Sequence, residues 1–309
     1  MKYFDNGGVR IAYRRFGDPL APAVVLLMGL GLSMEAWPEG IVSGLLAEGF
    51  QVITPDNRDS GRSSRMTAWR VGRGDVLHAI VRTVFGLQVT GEYALEDMAF
   101  DLERLLDHLG LRRVHVGGVS MGGMIAIQVT HRLAQFVRGG VFSAPALMID
   151  PVLMKYRPIV TFLQSFMPKF VVSRLAPDAM CHDSVVIEQY CYDILNTPGV
   201  RKPVPARTAL QLVEGIEGAV RIEKEFSTPF LLMQGTEDKV CLPAGAEKFF
   251  KTAISSDKEY KEWEGSYHEI MNEDNGMDVV NYSIDWLNRH VSVWSVSWKG
   301  GSERKQCST

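Results

Sequence analysis

The sequence predicts an α/β protein built on a mostly parallel central sheet. Two observations carry that prediction. Short, wholly apolar runs of strand length recur along the chain, and stretches with helical apolar spacing fall between them. At 309 residues the chain has room for one large domain with an insertion, or for about two domains. Hydrophobic residues make up 46% and charged residues 22%, which supplies a core and excludes collagen-like and disordered classes. The 33 Lys and Arg nearly balance the 36 Asp and Glu, for a net charge of -3. No stretch is basic enough to predict a nucleic-acid partner.

Taken in order, Val9 to Phe16 alternates and predicts a half-buried antiparallel strand. Val24 to Met28 is apolar throughout, as a parallel strand covered on both faces must be. Similar runs follow at Val52 to Thr54, Val114 to Val116, Gly140 to Phe142 and Phe230 to Met233, with a strand-like stretch at Glu259 to Trp263. Helical periodicity falls at Ile41 to Glu48, Leu95 to Leu109, Met121 to Phe136, Ala244 to Lys251 and Val279 to Leu287. Two stretches break the rhythm. Met66 to Thr90 intervenes before the helix beginning near Leu95, with Val76, Leu77, Ile80, Val81 and Val84 at helical spacing. The gap between Ser143 and Phe230 is helix-rich and punctuated by Pro151, Pro158, Pro168 and Pro177, so it predicts an inserted helical cap. The expected division is a core of residues 1–144 and 227–290, a cap of 145–226 and a flexible tail of 291–309.

Gly118-Val119-Ser120-Met121-Gly122 matches G-x-S-x-G and lies between the strand Val114 to Val116 and an apolar helix. That context predicts a strained turn that lifts the Ser120 hydroxyl above the sheet, with Gly117, Gly118, Gly122 and Gly123 relieving the crowding. A serine hydroxyl needs a base, and on such a turn an acid and then a histidine follow in chain order. His78, His108 and His115 precede the serine, His131 lies in the next helix, and His182 precedes any strand able to present the acid. His290 ends the last helix, where a solvated histidine is the plainer reading. His268, in a loop just past the strand-like Glu259 to Trp263, is the expected base. The acid should follow Phe230 to Gln234, where Asp238 is favoured because Val240 can anchor the loop while Asp238 turns inward. Glu237 is the alternative.

Acyl transfer also needs donors for an oxyanion. The amides of Met121, at a helix N-terminus, and of Leu30, in the loop Met28-Gly29-Leu30-Gly31, are the expected pair. That loop is not a dinucleotide fingerprint, since Met34 stands where the third glycine would be. The sequence has no HExxH and no paired-cysteine spacing, so no metal and no cofactor are expected. Cys181, Cys191, Cys241 and Cys307 show no disulfide framework; Cys241, three residues after Asp238, either lines the site's edge or, the plainer reading, is a buried inert thiol. The N-terminus lacks an apolar signal core, and no apolar run reaches the ~18 residues of a membrane span. A cytoplasmic protein, with peripheral membrane contact as an option, is the expectation.

These segments together resemble the α/β-hydrolase superfamily from about residue 10 to about residue 290. Leu231-Leu232-Met233-Gln234-Gly235-Thr236-Glu237-Asp238-Lys239-Val240-Cys241 and Trp263-Glu264-Gly265-Ser266-Tyr267-His268-Glu269 resemble the carboxyl half of monoacylglycerol lipases and lysophospholipases. Asp56-Asn57-Arg58-Asp59-Ser60-Gly61-Arg62-Ser63 is similar to a loop of small-ester hydrolases, which implies that Asp56 and Arg58 support the floor of the site. Monoacylglycerol lipases usually carry His-Gly where this chain has Met28-Gly29, so the hydrogen bonding of that loop must differ.

The expected function is therefore a serine carboxylester hydrolase acting on a single-chain lipid ester such as a monoacylglycerol. Its partner is that small-molecule or lipid ester, with no nucleic acid. In the cap, Ile159, Val160, Leu163, Phe166, Met167 and Phe170 share a helical face, and Leu163 and Phe166 are expected to contact substrate. Phe162, with Lys155 and Lys169, offers a weak contact with a lipid surface. Alternatives are a short-chain esterase, thioesterase or C–C hydrolase with the same triad, or a ligand-binding protein without turnover.

Overall fold

The computed structural model describes residues 1–29, 31–65, 95–150, 155, 159–161, 171–174, 176–188, 191 and 203–291. Its strands are β1 (Lys2–Asn6), β2 (Val9–Phe16), β3 (Ala23–Leu27), β4 (Gln51–Pro55), β5 (Val114–Val119), β6 (Val137–Ser143), β7 (Val171–Arg174), β8 (Pro203–Pro205), β9 (Phe230–Gly235) and β10 (Lys258–Trp263). Eight of them form one sheet in the order β1-β2-β4-β3-β5-β6-β9-β10, and β7 and β8 pair separately. From β4 to β10 every neighbour is parallel. β2 is antiparallel to both of its neighbours, as its alternation predicts. The chain has an α/β-hydrolase fold.

β3, β4 and β9 are buried at every residue, which is why their sequences are apolar without alternation. β1 carries no such signal because it is mostly exposed. It is a hairpin partner, joined to β2 through Gly7 and Gly8, both at positive φ (60° and 92°), where Asn6 faces Val9. Only glycine takes that pair of conformations without strain.

Helices α1 (Glu39–Ala47), α2 (Leu95–His108), α3 (Met121–Arg132), α4 (Ala206–Arg221), α5 (Pro243–Thr252) and α6 (Gly276–Val291) flank the sheet. Alternate residues of β3 show the layering. Val24 and Leu26 face Ile41, Leu45, Ile284 and Trp286 of α1 and α6. Val25 and Leu27 face a cluster that draws on α2, α3, α4 and α5, including Leu105, Ile125, Ala219 and Phe249. α4, within the stretch between β6 and β9, packs on α2 and α3, and Gln128 Nε2 donates to the Gly215 carbonyl at 2.9 Å.

The third helix is shorter than its periodicity predicts. It ends at Arg132, capped at Leu133, and Phe136 belongs to the turn that enters β6. Its apolar residue extends the spacing because it packs against the same core. Among the described residues, no helix is long and apolar enough to cross a membrane. Met66 to Thr90 and the tail beyond Val291 lie outside the described residues.

Candidate active site

The carboxyl ends of β5, β9 and β10 deliver the three residues singled out by sequence. Ser120 stands between β5 and α3 at φ 56°, ψ −124°, a conformation that non-glycine residues seldom adopt. Its surroundings hold it there. Ser120 N–H donates to the Ser143 carbonyl at 3.0 Å, and the Ser120 carbonyl accepts from Met124 at 3.2 Å and Ala146 at 3.0 Å. The turn is as crowded as expected: a β-carbon on Gly118 would meet the Gly122 carbonyl, and one on Gly122 would meet the Leu27 carbonyl.

The β9 strand ends in Gln234-Gly235, and the following loop turns Asp238 inward to 3% exposure while Glu237 and Lys239 stay exposed. Asp238 Oδ1 accepts from the amides of Val240 (2.8 Å) and Cys241 (2.9 Å). Asp238 Oδ2 accepts from Gln234 Nε2 (2.9 Å) and pairs with His268 Nδ1 (2.8 Å). Both side chains of that pair are buried, so its geometry is fixed by the protein rather than by solvent. The loop after β10 supplies His268, and a β-carbon on Gly235 would strike the Ser266 and Tyr267 carbonyls, so the two loops interlock closely.

Cys241 is buried. Burial pushes its thiol well above the ordinary range; the nearby Asp238 charge adds to the effect and the neighbouring Ser120 hydroxyl opposes it. Cys241 is thus a buried, protonated thiol, as its sequence position suggests. Among the described residues no hydrogen bond joins Ser120 to His268. Catalytic hydrogen bonds are often unformed in a resting enzyme.

Gly29 brings the loop after β3 against the serine: a β-carbon there would lie 3.2 Å from Ser120 Cβ and 3.8 Å from Oγ. Leu30 itself, like Leu163 and Phe166, lies outside the described residues, and so do Phe162 and Lys169. Met121, the other expected oxyanion donor, is the first residue of α3 and is buried. The loop's ends are held from the β4 side. Asn57 Nδ2 donates to the Met28 carbonyl at 3.2 Å, and Asp56 Oδ1 accepts from the Met34 amide at 2.6 Å. Burial raises the Asp56 pKa, against the backbone donors Arg62 and Met34, which favour the charged form. Arg58 forms a buried ion pair with Asp101 of α2 through contacts of 2.5 and 2.8 Å. Asp56 thus ties the loop after β4 to the loop after β3, and Arg58 ties it to α2.

Of the remaining histidines, His290 is partnered and 14% exposed rather than solvated, and His182 is an addition. His290 stacks on Trp286 and pairs with Asp257, the residue preceding β10, at the opposite end of that strand. His115 is fully buried beneath the sheet's surface against Trp286. His182 is the addition: its ring centroid lies 3.8 Å from that of Tyr267, next to His268, and its Nδ1 meets Glu273 at 3.0 Å. Sequence reasoning misses His182, Glu273 and Gln234, because they match no motif; His182 and Glu273 meet across 91 residues, and Gln234 reaches Asp238 only once the loop after β9 has turned. Among the described residues, no group of three or more His, Cys, Asp or Glu is placed to hold a metal ion.

An inward Asp–His pair and a strained serine, all at the carboxyl ends of strands of one sheet, suit nucleophilic acyl transfer. Comparison with known proteins agrees with that geometry. Residues 18–275 match the model of the serine aminopeptidase, S33, family. The chain belongs to this family. Among relatives of this S33 hydrolase, the monoacylglycerol lipase of Mycolicibacterium smegmatis is 26% identical over 292 residues, covering 92% of this chain and 95% of that one. An abhydrolase domain-containing protein of Dictyostelium discoideum is 26% identical over 280 residues; the match spans 88% of this chain but only 27% of that longer protein. Among solved structures, the monoacylglycerol lipase of Paleococcus ferrophilus superposes with a TM-score of 0.73 at 22% identity, covering 91% of this chain and 99% of that one. That likeness establishes the shared fold.

Proposed function

We propose that this S33 hydrolase is a serine carboxylester hydrolase whose substrate is a single-chain lipid ester such as a monoacylglycerol. The observation that carries the reading is the buried 2.8 Å Asp238–His268 pair at the carboxyl ends of β9 and β10, in the same sheet whose β5 ends at a serine with φ 56°. In the proposed cycle the Ser120 side chain turns about Cα–Cβ toward His268 Nε2. His268, held by Asp238 with its Nδ1–H donated, takes the hydroxyl proton as Oγ attacks the ester carbonyl. The oxyanion is held by the amides of Met121 and Leu30. His268 passes its proton to the departing alcohol, leaving an acyl group on Ser120. A water then repeats the sequence in reverse: His268 takes its proton, the hydroxide attacks, and Ser120 recovers its hydrogen as the fatty acid leaves.

The lipid reading draws on the relative from M. smegmatis, which aligns along nearly the whole of both chains. In the same proposal residues 145–226 act as a cap in which Leu163 and Phe166 contact the acyl chain. Phe162, Lys155 and Lys169 rest on the lipid surface; Lys155 and Ile159, the latter 55% exposed, lie in that stretch. Each methylene buried contributes about 0.8 kcal/mol, so several favour long chains by orders of magnitude in kcat/KM.

The test is a chain-length profile from acetate to dodecanoate esters, monoacylglycerols included, with an aminoacyl anilide for comparison. Labelling of Ser120 by a fluorophosphonate accompanies it. Medium and long chains should outcompete acetate and butyrate, and Leu163→Asp or Phe166→Asp should erode the preference. A flat or falling profile, unmoved by those substitutions, would favour the short-chain esterase, thioesterase or C–C hydrolase reading. Absence of labelling together with absence of turnover would favour a ligand-binding role.

A further inference from the structure

Glu273 does nothing in the proposed cycle, yet it is the most heavily engaged carboxylate beside the site after Asp238. Its side chain is 4% exposed. One oxygen, Oε1, accepts from the amide of Tyr267, the residue immediately before His268, at 2.7 Å. The other, Oε2, accepts from the amide of His182 at 3.0 Å, and His182 Nδ1 meets both oxygens at 3.0 and 3.1 Å. His182 comes from the stretch inserted between β6 and β9, ninety-one residues away in the chain. A second tie runs parallel to the first, since the Glu269 amide donates to the Met180 carbonyl at 2.7 Å. The residues on both sides of His268 are thus bonded, directly or through Glu273, to residues 180–182.

A buried carboxylate is costly unless its acceptor sites are filled. Glu273 is satisfied only while the Tyr267 amide and the His182 amide stand on either side of it. Displacing residues 180–182 would leave a buried oxygen without its donors, and moving the Tyr267 amide would do the same from the other side. The two placements are therefore linked through one side chain. Other groups near this junction are Lys239, whose Nζ lies 5.2 Å from the Tyr267 ring centroid, and Glu269, whose carboxylate accepts from Asn272. Neither bridges the two segments by its side chain.

We propose that Glu273 is a positioning residue that ties the orientation of His268 to the docking of residues 180–182. The proposal rests on His268 being the base of a serine hydrolase, and its test is arranged to separate the two ideas. Wild type, Glu273→Ala and Glu273→Gln are compared on a p-nitrophenyl ester, with active sites titrated by the pre-steady-state burst. The low-field NMR signal of the His268 Nδ1–H is recorded for each. Hydrogen exchange is followed in the peptides containing His182 and Tyr267.

Glu273→Ala should lower kcat per titrated site by about 10- to 100-fold, the scale of a sub-ångström to 1 Å misplacement of a catalytic group, with KM within about twofold. The Nδ1–H signal should shift or broaden, and exchange should quicken in both peptides together. Glu273→Gln keeps an oxygen for one of the two amides and should recover part of the lost kcat, with exchange quickened in both peptides but less than in Glu273→Ala. Unchanged kcat per titrated site in Glu273→Ala would overturn the proposal. So would a loss accounted for wholly by fewer titratable sites, equal loss in both variants, or faster exchange confined to one peptide. Failure of the wild type to turn over esters or take up a fluorophosphonate would instead count against the hydrolase reading itself.

Discussion

Replacing Asp238 by Asn removes one charge and changes one atom, and the hydrogen bonds around that atom determine the damage. Asp238 accepts four hydrogen bonds, from the Val240 and Cys241 amides on Oδ1 and from Gln234 Nε2 and His268 on Oδ2. The two backbone donors cannot turn away, so an Asn must offer them its carbonyl oxygen and place its amide nitrogen where Oδ2 was. That nitrogen then faces Gln234 Nε2, a donor, and His268 Nδ1. His268 can remain bonded only by accepting at Nδ1, which puts its proton on Nε2, the atom that must take a proton from Ser120. The expected loss is on the order of 10⁴ in kcat, equivalent to about 5 kcal/mol of transition-state stabilisation. The clash with Gln234 leaves a buried donor unsatisfied at about 1–3 kcal/mol. That is well below the ~5–15 kcal/mol stability of a typical domain. The variant should fold, with a lowered Tm, and fail at chemistry. Burst-titrated kcat and circular-dichroism melting measure the two effects separately. Glu237→Gln, at an exposed neighbour, should leave both within error. If Asp238→Asn kept more than about 1% of wild-type kcat while Glu237→Gln lost activity, this reading of the acid would be wrong.

Two further sets of substitutions probe the frame around the site. His115 is fully buried, and burial first, then the positive charges of His290 and Arg138, lower its pKa to about 3. The unfolded chain therefore binds a proton that the native one refuses between roughly pH 6.5 and pH 3, and stability falls through that window as pH drops. The slope from this one group is at most about 1.4 kcal/mol per pH unit, so urea midpoints at pH 5 and pH 4 should converge in His115→Leu relative to wild type; parallel slopes would show that His115 does not titrate this way. Gly29→Ala and Gly122→Ala should separate fold from function. The first places a methyl 3.2 Å from Ser120 Cβ, close enough to restrict the serine rotamers while the fold survives, so kcat/KM should drop with Tm nearly unchanged. The second drives a methyl into the β3 carbonyls and should cost about 1–3 kcal/mol or more, read as a large fall in Tm.

How legible each element is in the sequence depends on how it meets water. β3, β4 and β9 are covered on both faces, so their runs are unbroken and easily read; β1, lying mostly in solvent, has no pattern apart from its turn glycines. A helix boundary drifts where an apolar turn residue such as Phe136 packs on the same core as the helix before it. Ser120, Asp238 and His268 are legible because chain order and a crowded turn restrict such a set to few positions. Val240 is partly buried and Glu237 exposed, which is the arrangement that favours Asp238 over its neighbour. Gln234 and Glu273 are not legible. One depends on how the loop after β9 turns, the other on the meeting of two segments 91 residues apart.

The pairing of β6 with β9 has a consequence for how such a chain can change over generations. Gly140 to Ser143 lie in register with Phe230 to Met233, and the Ala144 amide still reaches the Met233 carbonyl at 2.8 Å. The polypeptide thus departs from the carboxyl end of β6 and re-enters at the amino end of the parallel β9, three residues back along the sheet, roughly 10 Å away. Whatever length of chain is spliced between those points, that span is set by the sheet, and doubling the length costs only about 0.6 kcal/mol of closure entropy. Outside residues 180–182, which bond to the loop of His268, and the β7–β8 pair, the excursion up to the start of α4 can therefore be lengthened or shortened without shifting the register of the eight-stranded sheet.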